Sequence, residues 1–318
     1  MLIVLAGALP DASIASELAR HLPRRAPTLH AWLTLSQAEW RDHDPHAQGC
    51  TPFEAWQLEH AGYAAQPGLP WGAGLGPLLA GEDACRDGQA VWLGELVHLA
   101  LGTDRATLLP AGQMDVWAEE SQALFEAARP LLQDAGFAAE PLDAGRWRLF
   151  LPEGLRPEPA SPEAVAGQPL DAWWQQDAAT RPWRRLLNEI QMAWYEHPAN
   201  EARAARGAAP VNALWLYGGA RPWPAPEQTE QAEVFDSLLA PQRAGDWGAW
   251  LETLEAIDRK YLAPLAQGKY RLPAPHTEIL LLGADRRARV RFKPRTGLLR
   301  WLPPVKTHDW NTWWSRPV

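Results

Sequence analysis

The chain opens on an unbroken apolar run, Leu2 to Leu5, closed by Ala6-Gly7. A run apolar at every position predicts a central strand covered on both faces. Ile14 to His21 then reads as a helix. Thr51-Pro52-Phe53-Glu54 is a helix start, in which Thr51 caps, Pro52 suits the first helical position and Glu54 closes a capping box. Gly62 is its natural stop. Gln66 to Gly81 (QPGLPWGAGLGPLLAG) is so rich in Gly and Pro that it is predicted to be mostly loop. Ala90 to Leu101 reads as a strand region, with Val91, Leu93 and Leu99 apolar.

The pattern changes near Arg105. Val116 to Ala135 is a helix ending at Gly136, which Pro130 should kink or divide. Phe137 to Leu151 holds two extended runs around Asp143-Ala144-Gly145, a hairpin signal. Trp183 to His197 places Leu186, Ile190, Ala193, Trp194 and His197 on a common helical face, and Pro198 ends it. Asn200 caps a short helix ending at Gly207, and Val211 to Tyr217 is a buried strand. Trp247 to Tyr261 is amphipathic, and Glu278–Leu282 pairs with Arg289–Phe292 as a hairpin around Gly283-Ala284-Asp285. Strands alternate with helices at both ends, while the middle reads as α+β. The fold class expected is therefore α/β, with a core from residues 1–104 and 208–318 and an inserted α+β lobe at 105–207.

Composition narrows the function classes. With 318 residues, 47% of them hydrophobic and 21% charged, the chain is ordinary for a globular protein. Its net charge of −8 argues against a nucleic-acid partner, whose contact face would be basic. No apolar run reaches the roughly 18 residues of a membrane span. MLIVLAGALPD lacks a basic leader region, so it reads as a first strand rather than a signal peptide. Cys50 and Cys85 alone do not make a disulfide framework, and a reducing cytoplasm is expected. The 19 Trp supply either core mass or an interaction surface.

Candidate chemistry is sparse. GAGLG at Gly72 to Gly76 lacks a convincing preceding strand, the dinucleotide spacing and a phosphate-loop Lys, and Pro77 spoils the following helix. Asp42, His43, Asp44 and His46, with Cys50 beyond, are ligand types crowded together, but a solvated loop accounts for them equally. His308-Asp309 is weaker still. No base can be assigned to Cys50 as a nucleophile. The densest set is Asn188, Gln191, His197, Asn200, Arg203 and Asn212, at a helix–turn–strand join. Asn188 and Gln191 lie three apart and project together. His197 ends a helix where a cation suits the dipole. Arg203 can clamp a carboxylate or phosphate. The six either bind a small anion or brace the junction between lobe and core, through caps and amide bonds.

LLNEIQM, HPANEAR and G-x-x-PVNALWLYGG are similar to the bacterial regulatory protein RpfE family. CTPFEAW, VWLGELVHLALGTDRATLL, AEESQALFEAARPLL and RWRLFL fall in that family's order, so the resemblance covers most of the chain. The family in turn resembles the archaeal-type cofactor-independent phosphoglycerate mutases of the alkaline phosphatase superfamily. Those share His-Pro-x-Asn-x-x-Arg followed by Asn-x-x-Trp-x-x-Gly, here His197, Pro198, Asn200, Arg203, Asn212, Trp215 and Gly218. The resemblance implies an alkaline-phosphatase-like α/β sheet core with an inserted lobe. It also implies where catalysis would need ligands, and there the chain departs. Active members carry Asp-Gly after the first strand, a Ser or Thr nucleophile, and a late Asp-His pair. This chain has Ala6-Gly7, no Ser in the matching region, and Gly283-Ala284-Asp285-Arg286. The expectation is a degenerate, metal-free and cofactor-free relative with no catalytic residues. Its partner would be a small anionic metabolite or a protein. The alternatives are an active metal-dependent phosphomutase or phosphohydrolase using the DHDPH residues, and an interaction module using exposed Trp.

Overall fold

The computed structural model describes residues 1–102, 106–155, 157–158, 160–173, 177–268, 271–292 and 310–315. His308 and Asp309 lie outside these residues. Among the described residues no helix is long and apolar enough to cross a membrane. The strands are β1 (Leu2–Leu9), β2 (Gln37–Asp42), β3 (Trp92–Leu101), β4 (Ala106–Leu109), β5 (Ala138–Pro141), β6 (Arg146–Phe150), β7 (Ala213–Gly218), β8 (Ala232–Phe235), β9 (Glu278–Gly283) and β10 (Arg286–Arg291). They form two sheets interspersed with helices, and the chain is α/β in class.

The chain divides into two compact units, Met1–Asp44 with Gln228–Val318, and Pro45–Glu227. These boundaries fall outside the expected 105 and 207. The reason is pairing: β3 joins β7 along Trp92–Val97 and β6 along Trp92–Glu95, so both of its edges are committed within the second unit.

The first unit has the sheet order β2-β10-β9-β1-β8. β1 runs parallel to β8 and β9, and β9, β10 and β2 are antiparallel. Every residue of β1 is buried, as its continuous apolar run requires. Helices Ala12–Arg25, Pro27–Leu35 and Trp247–Ile257 cover the sheet through Leu22, Leu29, Trp32, Trp250 and Leu254. The helix predicted to reach Tyr261 changes at Asp258 into a π-helical turn, Asp258–Leu262. This turn carries the buried Asp258 carboxylate to the N-terminus of helix Pro27–Leu35. There it accepts from Leu29 N at 2.7 Å and Thr28 N at 3.2 Å, two helix-end donors without helical partners.

In the second unit, Trp147 meets Phe125 and Trp194 edge-to-face, with centroids at 5.0 and 5.9 Å. The predicted capping box forms: Glu54 N donates to Thr51 Oγ1 at 3.2 Å, and Thr51 N donates to Glu54 Oε2 at 2.7 Å. The predicted hairpin is β5–β6. Helix Ala118–Asp134 runs on through Pro130 to its last turn, so the expected division does not occur. The Gly/Pro-rich segment departs most from expectation. It folds as a 3₁₀ turn, Trp71–Gly74, and a helix, Leu75–Ala84, broken at Gly81 where φ is +80°. Pro77 is third in that helix, where its missing N–H has no helical partner to lose. The glycines serve close packing rather than flexibility. A Cβ on Gly72 would lie 2.1 Å from Gly49 O, and one on Gly76 would lie 2.0 Å from Val91 O.

That contact sets a test. Gly76→Ala must displace backbone and should cost more than about 3 kcal/mol. Gly88→Ala meets nothing within 4 Å at φ +67°. It should cost only about 1 kcal/mol. Urea unfolding of the two variants reads the difference, and equal losses would remove the packing explanation.

Candidate functional site

The helix holding the first candidates is Arg181–Tyr195, two residues short of the expected end. It buries Trp183, Leu186, Leu187, Ile190 and Trp194, while Ala193, expected on that face, is exposed. Trp194 Nε1 donates to Leu124 O at 3.1 Å, pinning this helix to helix Ala118–Asp134.

The six predicted residues separate into three groups. Asn188 is exposed and Gln191 half-buried on the outer side of the helix, away from the rest. His197 does not end this helix but opens the next, Pro198–Ala205, accepting from Ala199 N through Nδ1 at 3.2 Å. Its position beside Pro198 at the first helical residue explains the correction, because a helix starts there. The inner three are consumed by backbone. Asn200, buried in the first turn rather than capping, donates to Trp194 O and Val211 O and accepts from Val211 N, each at 2.8 Å. It therefore ties the end of one helix to the approach to β7. Asn212 accepts from Leu99 N at 2.7 Å and donates to Leu99 O at 3.0 Å, an amide standing in for one more backbone pair beside β3.

Arg203 is fully buried. Nε donates to Ala209 O at 2.8 Å, Nη2 to Met114 O at 2.7 Å, and Nη1 to Asp115 O at 3.2 Å and to the Glu120 carboxylate. Four of its five N–H groups are thereby used. Glu120 also accepts from Trp117 N at 3.0 Å, capping helix Ala118–Asp134. Arg206 completes the cluster over the Trp117 ring at 4.1 Å, with contacts to Glu120 Oε1 at 3.1 Å and Asp115 Oδ2 at 2.9 Å. The arginines and hydrogen bonds hold the Glu120 carboxyl below its ordinary range despite burial. Asp115 adopts φ +47°, uncommon outside glycine, and its carbonyl receives both arginines. Glu120, Asp115 and Arg206 were missed in the sequence; the Trp117-to-Glu120 spacing at a helix start was the available signal. All of these residues lie in the second unit, so the join is internal to it and not a junction of core with lobe.

The metal candidates are divided between the two units. Asp42, His43 and Asp44 belong to the first unit, with Asp42 ending β2 and His43 N donating to Asp285 O at 2.8 Å. His46 belongs to the second, where Nε2 lies 2.9 Å from Ala172 O and the ring packs on Trp173. Among the described residues no group of three His, Cys, Asp or Glu side chains is placed to share a cation. Burial pushes the Cys50 thiol well above its ordinary range, away from the thiolate.

At the ends of β1 and β9 the chain packs closely on itself. A Cβ on Gly7 would lie 2.7 Å from Leu238 C, and φ there is +84°. Arg286 is buried; Nη2 donates to Pro10 O and Trp314 O at 2.8 Å, and Nη1 pairs with Asp285 at 2.7 Å. Asp11 is raised above the usual carboxylate range, by burial first and by Asp285 second. A guanidinium with two carboxylates does not fit a two-dication centre, which needs several anionic and imidazole donors.

One buried acid was not anticipated. Glu95, on β3, accepts from Ala111 N and from the Tyr217 hydroxyl, both at 3.1 Å. Burial pushes it up to about 7. Its alternation within an apolar strand, LGELV, was the missed signal.

No family model matches the chain, and no curated protein matches it. Among solved structures, a cofactor-independent phosphoglycerate mutase from Thermoplasma acidophilum DSM 1728 is 15% identical, covering 91% of this chain and 88% of its own, with a TM-score of 0.31. A Pyrococcus horikoshii protein is 12% identical, covering 98% of this chain and 91% of its own, with a TM-score of 0.43. Both likenesses are distant, and neither points to the RpfE family.

Two measurements probe these clusters. Arg203→Ala strips Glu120 of its buried partner and should cost on the order of 3 kcal/mol in urea unfolding. Arg203→Lys should recover little, since an ammonium cannot reach carbonyls in three directions; full recovery would show that charge alone matters. For Glu95 the folded-state value lies above the ordinary 4.5. Its contribution to stability is therefore complete below about 4.5 and is lost as pH rises through about 7. Glu95→Gln should gain melting temperature relative to the parent at pH 8 but not at pH 5. A constant difference across that range would refute the assignment.

Proposed function

We propose that this chain is a catalytically silent, phosphoglycerate-mutase-like protein with a regulatory role, exercised by binding a small anionic metabolite or a protein. The observation that carries this reading is Arg286. A buried guanidinium, bonded to Pro10 O, Trp314 O and Asp285, sits at the strand ends where phosphotransfer would need dications. Coulomb repulsion between that fixed charge and a divalent ion opposes metal loading, and Ala6, buried at the matching place in β1, brings no ligating side chain. The Asn200–Arg203–Asn212 cluster supports bracing over ligand capture, since its polar atoms face the protein's own backbone.

Metal analysis of protein purified without chelator is expected to find no stoichiometric Mn or Zn. A parallel assay with 3-phosphoglycerate, supplemented with either metal, is expected to show no turnover. A thermal-shift series with phosphorylated three-carbon acids then reads anion binding: a concentration-dependent rise in melting temperature supports the metabolite arm by mass action. Two tightly held metals per chain, with turnover, would replace this reading with an active phosphomutase or phosphohydrolase.

A further inference from the structure

At one edge of the first unit's sheet the helical cover stops short and leaves a cavity. β2 is the outermost strand, and its Trp40 stands opposite Ala288 of β10, on the face that the core covers. Ala288 is 1% exposed but Trp40 is 46% exposed, so the cover does not reach the edge. The end of helix Pro27–Leu35 bounds one side of the gap, and helix Trp310–Trp314 bounds another. What remains is a cavity of about 290 Å³. Trp40, Trp310 and Trp313 give it aromatic walls, and Ser36, Gln37 and Thr312 give it polar groups. The wall helix is held in place. The Trp310 ring meets His30 edge-on at 5.6 Å, and Trp314 O accepts from the buried Arg286 at 2.8 Å.

We propose that this cavity binds a neutral pyranose sugar, stacked on an indole and hydrogen-bonded by the amide and hydroxyls of its lining. Charge argues against ionic ligands. None of the described residues lining the cavity is charged, so a phosphate or carboxylate would lose water with no cation to meet it. A purely apolar ligand fares no better, because it would cover Ser36, Gln37 and Thr312 without answering their polar atoms. A pyranose suits both surfaces. Its flat face presents C–H groups to an indole, and its edge presents hydroxyls that donate to and accept from neutral side chains. Volume sets the size: about 290 Å³ lies at the bottom of the range for small-molecule sites, room for one ring rather than a chain or a nucleotide. With about a dozen heavy atoms in contact, the dissociation constant should be roughly 0.1–10 mM. This site goes beyond the regulatory reading and does not rest on it. It also lies in the other unit from the Asn200–Arg203–Asn212 cluster.

Nuclear magnetic resonance of the ¹⁵N-labelled full chain tests this. The probes are D-glucose, D-galactose, N-acetyl-D-glucosamine and glucose 6-phosphate, each titrated through that range. The indole N–H signals of Trp40, Trp310 and Trp313, assigned by Trp→Phe changes, should shift saturably with at least one of the neutral sugars. Trp40→Ala, at an exposed edge position, should weaken that binding at least about tenfold with an unchanged circular-dichroism spectrum. Gln37→Ala, a surface change that spares the core, should weaken it at least about threefold. Tyr195→Ala, in the other unit, should leave it unaltered, and glucose 6-phosphate should bind less well than glucose. No saturable shift of the three indoles with any neutral sugar, undiminished binding by Trp40→Ala and Gln37→Ala, or a preference for the phosphorylated sugar would each overturn the proposal.

Discussion

The second unit depends on one buried cation. A guanidinium inside a protein is tolerated only where its charge and its N–H groups are met. Arg203 meets both needs by drawing in chain that is distant in sequence: the carbonyls of Met114 and Asp115, the Glu120 carboxylate and the Ala209 carbonyl. Because Glu120 is also the N-terminal cap of helix Ala118–Asp134, the pair fixes where that helix begins. Because Arg203 lies on helix Pro198–Ala205, it also fixes the approach to β7. Asp115 holds an unfavourable backbone conformation within this cluster, and the two arginines on its carbonyl offset that strain.

The first unit solves a related problem with the signs exchanged. The Asp258 carboxylate is met by the N–H groups of Thr28 and Leu29 at the start of helix Pro27–Leu35. Asp258 stands where helix Trp247–Ile257 gives way to the π segment Asp258–Leu262. Burial raises the Asp258 carboxyl above its ordinary range even so, the two backbone donors only partly countering it. Arg286 is bound mainly by carbonyls, one of them just before helix Ala12–Arg25. Each unit thus uses buried charge to lock helix termini, a structural use of residue types that catalytic sites also favour.

That overlap is why the sequence separates fold from site so unevenly. β1, the Thr51 capping box and the β9–β10 hairpin were legible because each obeys a local rule: continuous apolarity, a four-residue cap, or a turn between alternating runs. The Gly72–Gly76 segment was not, since glycine chosen for close backbone approach reads the same as glycine chosen for flexibility. The density of polar residues near Arg203 was legible, but its purpose was not. Asn200 and Asn212 satisfy partners at Val211 and Leu99, which only the folded chain brings near. Glu120 was hidden for the same reason, its partner lying in a helix that begins at Pro198. The unit boundaries near residues 45 and 227 escaped notice because strand pairing across more than a hundred residues leaves no local signature.

The amide-rich stretch spans two helices, Arg181–Tyr195 and Pro198–Ala205, and faces both inward and outward. Inward, Trp194, Asn200 and Arg203 spend most of their hydrogen-bonding capacity on backbone groups and, for Arg203, on the Glu120 carboxylate, leaving little for a ligand. Outward, Asn188, Met192 and Tyr195 are exposed. A helix that packed only inward would place Lys and Glu there, since solvated charge keeps a surface from associating. This one places a Met and a Tyr, each about four-fifths exposed, behind a cationic first half.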